Sequence, residues 1–192
     1  MGSLAAYGQP GERITFFEID PIVVQIARDS GYFTFLRDSK ADIDIVLGDA
    51  RLTLGRQPDG AFSMLAIDAF SSDAIPVHLL TTEAMALYMK KLTPDGILAV
   101  HVSNRYLELN PVVAAEAKAL GLVCYEQLDG PSDEEQDEGK TPSNWMLIGR
   151  NEDALKEVVK AKRAYWSESE DNGMRPWTDD FSNVLGVFKQ GD

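Results

Sequence analysis

The sequence predicts an α/β fold in which helices cover both faces of a mostly parallel sheet. Short runs rich in β-branched and aromatic residues alternate along the chain with segments of helical periodicity. The run at 62–67 is almost entirely apolar, as expected of a strand that is covered on both faces. Three successive runs are each followed by an acid, Glu18, Asp49 and Asp68, at the strand ends where parallel sheets bind ligands.

The first third of the chain contains two predicted strands with a helix between them. The first strand, 14–17, is followed by Asp20 and Pro21, which open a helix because Asp is a favourable N-cap and Pro suits the first helical position. The second strand covers 43–47. A third strand at 62–67 then completes the alternation of strands and helices.

The rest of the chain continues this pattern. A loop at 69–77 leads to a helix, and the sequence Pro-Asp-Gly at 94–96 predicts a turn before a strand at 97–102. Asn110 and Pro111 are predicted to cap a helix that ends at Gly121. The remaining predicted elements are closing strands at 122–128 and 145–148, a helix at 151–166 and an irregular tail.

Length and charge limit the classes of function. A chain of 192 residues predicts a single domain, 1–192. The formal net charge of −13 argues against nucleic acid and anionic membranes, which both require clustered Lys and Arg, and is compatible with a cationic substrate. The segment 129–142 carries six acids and is interpreted as a solvated acidic loop.

Cysteine and histidine usage limits the chemistry further. The single cysteine, Cys124, excludes an internal disulfide and a cysteine-rich zinc site, and it fits a reducing, cytoplasmic location. The two histidines lack an acid at ligand spacing, so no metal site is predicted. We interpret His101 as a satisfied core histidine and His78 as a residue at the start of a helix.

The three strand-end acids are the main candidates for a site. Glu18 stands where an acid binds ribose hydroxyls in nucleotide-binding folds, and Asp49 follows a glycine, so that its carboxylate can accept from an adenine amino group. Asp68 opens the loop that is predicted to face a substrate. The alternatives are a solvated acid for Glu18, a helix cap for Asp49 and a turn residue for Asp68.

Several motifs resemble those of the spermidine synthase-like (polyamine aminopropyltransferase) family. They are FEIDP at 17–21, GDAR at 48–51 and DAFSSDAIP at 68–76, in this order and spacing. Three further segments, HLLT at 78–81, HVSNR at 101–105 and WTDD at 177–180, resemble the branch of the family that is often fused to membrane-spanning segments. The resemblance covers nearly the whole chain.

The resemblance implies a Rossmann-like fold of the S-adenosylmethionine-dependent methyltransferase type. It also implies S-adenosylmethionine or its decarboxylated form as cofactor, methylthioadenosine as product, and no metal. Glu18 would hold the ribose, Asp49 the adenine amino group, and Asp68 would take the proton of the attacking amine. The further residues expected at the cofactor are Gly2, Asp20, Gly48 and Ala50, and those expected at the substrate are Ser71, Asp73 and Asp179.

The sequence departs from the family pattern at two places. The aminopropyltransferases have a second Asp three positions after the catalytic one, where this chain has Ser71; either Asp73 replaces it or the diamine site is absent. The family also has a strand and a Gly-rich turn before the position of Gly2. We therefore expect an N-terminally truncated domain that lacks its first strand and binds the cofactor weakly or not at all. For Asp179, a role in a capping turn is as good an interpretation as a substrate contact.

The expected function is transfer of an aminopropyl group from decarboxylated S-adenosylmethionine to an amine such as putrescine, in polyamine biosynthesis. Two alternatives stay open. One is a non-catalytic cofactor-binding or regulatory domain of a larger protein, and the other is an S-adenosylmethionine-dependent methyltransferase, because the same fold serves both chemistries. The expected partners are a small cationic amine, a second copy in a homodimer and membrane segments in the full-length protein.

Overall fold

The computed structural model describes residues 2–69, 76–161 and 165–189. The chain divides into two compact units, Met1–Gln57 and Pro58–Asp192. Each unit contains its own sheet, two-stranded in the first and five-stranded in the second. In the described ranges no helix combines the length and the apolar character needed to cross a bilayer.

The first unit is built on two parallel strands. Strand β1 (Arg13–Glu18) pairs with β2 (Asp42–Leu47) along its whole length, from Arg13↔Asp42 to Glu18↔Leu47. Helix α1 (Pro21–Asp29) begins as predicted, because the Asp20 carboxylate accepts from the Ile22 N–H at 2.8 Å. A 3₁₀ turn (Ser3–Tyr7) precedes β1, and a short helix, α2 (Ala50–Gly55), follows β2.

The second unit contains a mixed sheet. The strands are β3 (Phe62–Ile67), β4 (Leu92–His101), β5 (Val123–Asp129), β6 (Ser143–Gly149) and β7 (Ser167–Glu168), in the spatial order β3-β4-β6-β5-β7. Only β3 and β4 pair in parallel, whereas β4–β6, β5–β6 and β5–β7 are antiparallel. The predicted α/β class is therefore correct, but this sheet is mixed and not mostly parallel. The segment that joins β5 to β6 connects neighbouring antiparallel strands and needs no crossover.

Helices pack on both faces of this sheet. Helices α3 (Thr82–Lys91) and α4 (Asn110–Ala119) contact each other, and α4 contacts β5 and β6. On the other face, Leu155 of α6 (Glu152–Val159) is fully buried against Ala99 and Leu147. Because side chains alternate along a strand, Leu98 and Met146 point away from α6, and both are fully buried.

The predicted turn at 94–96 lies inside β4. Pairing with β3 jumps from Phe62↔Leu92 to Met64↔Ile97, so the Pro-Asp-Gly sequence forms an irregularity within the strand. The Arg150 guanidinium donates to the carbonyls of Thr93 at 2.7 Å and Pro94 at 3.1 Å. It also donates to the carbonyl of Met89 near the end of α3. One arginine thereby satisfies carbonyls that the end of α3 and the irregular part of β4 leave unpaired.

Three other local predictions differ from the structure. The predicted helix 151–166 is shorter, because α6 ends at Val159. A short helix, α5 (Asp133–Asp137), forms within the predicted acidic loop and begins with a capping box of Ser132 and Glu135. Asn110 does not cap α4, since its side-chain N–H donates instead to the Glu126 carboxylate at 2.7 Å.

Candidate functional site

The predicted site residues divide between the two units. Gly2, Glu18, Asp20, Gly48, Asp49 and Ala50 belong to the first unit, and Asp68 and Asp179 belong to the second. Ser71 and Asp73 lie outside the described residues. In the ranges that the structure describes, no group of three or more His, Cys, Asp or Glu side chains could hold a metal ion.

The carboxyl ends of β1 and β2 lie side by side in the first unit. Glu18 pairs with Leu47, and the Gly48 N–H donates to the Glu18 carbonyl at 2.9 Å. This pairing places Glu18 and Asp49 at adjacent strand ends. Two acids of the first unit are thus neighbours, as the rule for parallel sheets predicts.

The Glu18 carboxylate is held by the chain that follows it. Its Oε1 accepts from the Asp20 N–H at 3.0 Å, and the residue is half-buried. Within the described ranges no hydrogen bond is made by Oε2, so this oxygen can accept from a ligand. Asp20 uses its own carboxylate to cap α1, which leaves the position at the strand end to Glu18.

Asp49 caps the helix that follows it, as its alternative interpretation predicted. Its Oδ1 accepts from the Leu52 N–H at 2.9 Å at the start of α2, where Ala50 is the first residue. Gly48 has φ +133°, a conformation that favours glycine, and a Cβ there would lie 2.9 Å from Thr53 Cγ2. The contact of Asp49 with an adenine amino group stays a prediction.

Gly2 is placed differently from the strand ends. It has φ +103° and precedes the 3₁₀ turn, and a Cβ there would lie 3.3 Å from Leu36 Cδ2. Among the described residues, no hydrogen bond joins Gly2 to Glu18 or Asp49. A cofactor contact at Gly2 therefore stays a prediction.

The second unit places three side chains in a row at the end of its sheet. The register pairs Ile67 with Val100, so the next residues along β3 and β4, Asp68 and His101, lie side by side. His101 Nδ1 is 2.7 Å from Asp68 Oδ1. On its other side His101 pairs with Trp145 of β6, and the two rings stack with centroids 4.7 Å apart. The side chain of Asp68 is 55% exposed and that of His101 16%, so the carboxylate is open to a ligand and the imidazole supports it.

The sequence interpretation of His101 as a core histidine was therefore incomplete. The imidazole is mostly buried and has a partner, but this partner is the predicted catalytic carboxylate. A usable signal was present in the sequence, because Asp68 directly follows the apolar run at 62–67 and His101 directly follows the apolar run at 97–100. What the sequence lacks is the register between β3 and β4, which the irregularity at 94–96 determines.

Asp179 lies in the network that caps α3. The Thr81 hydroxyl donates to Asp179 Oδ1 at 2.8 Å and accepts from the Ala84 N–H at 3.1 Å. The Asp179 N–H in turn donates to the Glu83 carboxylate at 3.0 Å. The geometry supports the capping interpretation of Asp179, while a substrate contact stays a prediction.

Truncation of Asp179 tests this structural role. We expect Asp179→Ala to lower the free energy of unfolding by about 1 kcal/mol, the usual effect of weakening a helix cap. Asp179→Asn keeps a side-chain oxygen that can accept a hydrogen bond, so we expect its free energy of unfolding to stay close to that of the unmodified chain. Urea denaturation measures the difference, with the exposed Asp180→Ala as control. An unchanged stability together with a higher KM for an amine would assign Asp179 to substrate binding instead.

The sequence has relatives among the polyamine aminopropyltransferases, although no family model matches the chain. It is 30% identical over 94 residues to the polyamine aminopropyltransferase of Vibrio vulnificus, an alignment that covers 48% of this chain and 30% of that protein. It is 29% identical over 94 residues to a probable polyamine aminopropyl transferase of Bifidobacterium longum, covering 49% and 20%. The alignment thus spans less than a third of each relative.

Solved structures share the fold over most of the chain. A probable spermidine synthase of Corynebacterium glutamicum has a TM-score of 0.57 at 16% identity, covering 88% of this chain and 64% of that one. A spermidine synthase in complex with the transition-state analogue AdoDATO has a TM-score of 0.50 at 14% identity, covering 94% and 57%. Human methyltransferase-like protein 13 in complex with SAH has a TM-score of 0.53 at 18% identity, covering 91% and 78%.

These structural likenesses confirm the predicted S-adenosylmethionine-dependent methyltransferase type of fold. The two sequence relatives are named as aminopropyltransferases, the family that the quoted motifs resemble. The sequence is thus similar to polyamine aminopropyltransferases over about half of its length, and its fold is similar to that of spermidine synthases.

Proposed function

We propose that this chain is part of a transferase that moves an aminopropyl group from decarboxylated S-adenosylmethionine to a small cationic amine such as putrescine. The observation that carries the proposal is the Asp68 carboxylate, which directly follows β3, is more than half exposed and is held by His101. An exposed carboxylate that is fixed on one side is suited to receive an ammonium group and its proton.

Asp68 has a specific task in this reaction. When bound, the sulfonium donor supplies an electrophilic carbon and a neutral thioether as leaving group. The amine is mostly protonated near neutral pH, so its lone pair becomes available only after a proton leaves. Asp68 accepts this proton, and the neutral amine nitrogen then forms its bond to carbon as the carbon–sulfur bond breaks, so that the positive charge passes from sulfur to the product nitrogen. Orientation of the amine by the same carboxylate contributes to the rate as well.

The first unit would bind the nucleoside part of the donor. Glu18 offers Oε2 to ribose hydroxyls, and the side chains of Ile19 and Leu47 beside it are 69% and 54% exposed, so that apolar surface adjoins the polar groups. Asp49 would contact the adenine amino group, with Gly2, Asp20, Gly48 and Ala50 as further contacts. The AdoDATO and SAH bound to two structural neighbours support a ligand of this chemical type.

Calorimetric titration with methylthioadenosine and with decarboxylated S-adenosylmethionine tests the binding part of the proposal. We expect saturable binding that Glu18→Gln weakens by about 10-fold or more, since a charge-assisted hydrogen bond contributes about 1.5–3 kcal/mol. Asp44→Asn, which changes an exposed acid of the same sheet, is the matched control and should bind as the unmodified chain does. Equal binding by the Glu18 and Asp44 variants would contradict the role of Glu18.

A labelling experiment separates the proposed reaction from its alternatives. Donor labelled in the aminopropyl arm should transfer label to a panel of amines, and donor labelled in the methyl group should not. Transfer of the methyl label would show a methyltransferase, the function that the likeness to human methyltransferase-like protein 13 favours. Binding of donor without transfer of either label would show a non-catalytic domain. Membrane attachment, homodimer formation and a cytoplasmic location stay predictions.

A further inference from the structure

We propose that His101 is a positioning residue for Asp68: its Nδ1–H holds one carboxylate oxygen in place, so that the other oxygen receives the amine. This inference rests on the proposed function, because it assigns a task within that reaction. His101 opens the HVSNR segment at 101–105, but it is not among the predicted site residues.

The hydrogen bond determines which nitrogen of His101 carries the proton. An ionised carboxylate can only accept, so a 2.7 Å contact between Asp68 Oδ1 and His101 Nδ1 requires a proton on Nδ1. The neutral imidazole is then the Nδ1–H tautomer. The hydrogen bond engages a single oxygen of Asp68, and the side chain is 55% exposed.

His101 is well suited to hold another side chain because it is itself fixed. It ends β4, its side chain is 16% exposed, and its ring stacks on Trp145 at 4.7 Å with an angle of 24° between the planes. Trp145 in turn packs against the buried cluster of Ala99, Leu147 and Leu155. Asp68 would otherwise sample several rotamers at the exposed end of a strand. The Asp68 carboxylate is thus held by His101, which is itself held through Trp145 by the core of the second unit.

This arrangement keeps the proton balance of the reaction simple. The amine proton moves to the second oxygen of Asp68, and the neutral amine then forms the new carbon–nitrogen bond as the carbon–sulfur bond breaks. His101 donates the same Nδ1–H before and after this step and gains no proton. Its effect is therefore expected on kcat, through the orientation of Asp68, with little change in the KM for the sulfonium donor.

Two substitutions separate the hydrogen bond from the ring stacking. His101→Asn retains an N–H donor at the position of Nδ1 and loses the ring, whereas His101→Phe retains a ring to stack on Trp145 and loses the donor. We expect the Phe variant to lower kcat by about 10²-fold with the donor KM unchanged, and the Asn variant to retain activity within about 10-fold. The reverse order would overturn the proposal, because it would mean that stacking alone is needed.

Nitrogen NMR of the histidines tests the same inference without turnover. The chain has two histidines, so His78 serves as the internal reference. We expect the Nδ1–H tautomer for His101, and a shift of its signals on addition of putrescine that is absent in Asp68→Asn. The Nε2–H tautomer, or signals that putrescine leaves unchanged, would overturn the inference. Absence of transfer by the unmodified chain would instead overturn the proposed function, which keeps the two failures distinguishable.

Discussion

Replacement of Asp68 by asparagine is expected to lower kcat for aminopropyl transfer by about 10²–10⁴-fold, the usual contribution of a positioned general base. Asparagine has the shape of aspartate, and its side-chain oxygen can still accept from His101 Nδ1 at the position where the carboxylate oxygen lies at 2.7 Å. The variant therefore keeps the position of the group and loses its charge and its ability to take a proton. Steady-state kinetics at saturating donor measures the loss.

Two further measurements make this test specific. Titration with methylthioadenosine should give a Kd for Asp68→Asn within about twofold of the unmodified chain, because the proposed nucleoside contacts belong to other residues. Asp95→Asn, which changes an exposed acid at the opposite end of β4 from His101, should leave kcat unchanged. The loss in Asp68→Asn should also shrink above about pH 9, where more of the amine is unprotonated in solution. A loss that is independent of pH would contradict proton transfer to Asp68.

The strand ends were predictable because they depend on short stretches of sequence. Glu18 ends β1, Asp49 follows β2 closely, and Asp68 follows β3, each at the place that the apolar runs indicate. The helix beginning at Asp20 was predictable for the same reason, since an N-cap bonds to a backbone N–H two residues along the chain. Local chemistry determined these features, and the sequence displays it directly.

Features that depend on distant residues were not predictable. Asn110 was expected to cap α4 by a local rule, but a bond to Glu126 on β5 engages its side chain. His101 was assigned to the core because the sequence does not reveal the register that aligns it with Asp68. The mixed character of the sheet was unpredictable for the same reason. An apolar run in the sequence indicates where a strand lies, but it does not indicate which strand it pairs with.

Helix α4 contains a buried acid that neither the fold nor the proposed reaction explains. Glu116 is fully buried, and neither of its carboxylate oxygens has a hydrogen bond with the residues that the structure describes. Burial, with a smaller contribution from the nearby Glu83 carboxylate, raises the pKa of Glu116 from 4.5 to about 8. Glu116 is thus expected to be protonated in the folded chain at neutral pH.

This raised pKa predicts that the second unit loses stability as the pH rises. Between pH 4.5 and 8 the folded state keeps the Glu116 proton that the unfolded state releases, so each rise in pH favours unfolding. The contribution of Glu116 is largest below pH 4.5, falls by about 1.4 kcal/mol per pH unit, and levels off above pH 8 after a total loss of about 5 kcal/mol.

Substitution of Glu116 isolates this effect from the other carboxylates of an acidic chain. Glu116→Met fills a similar volume without a titratable group, so the free energy of unfolding of the Met variant minus that of the unmodified chain should grow with pH. Urea denaturation at intervals from pH 5 to 8 should show that this difference grows by about 4 kcal/mol, a large fraction of the usual stability of a domain.

The control is Glu157→Gln, which changes an exposed acid on α6 and should show a difference that is nearly independent of pH. A difference for Glu116→Met that is constant over this range would mean that Glu116 is ionised in the folded state, and its burial would then require a cationic or hydrogen-bonding partner in solution.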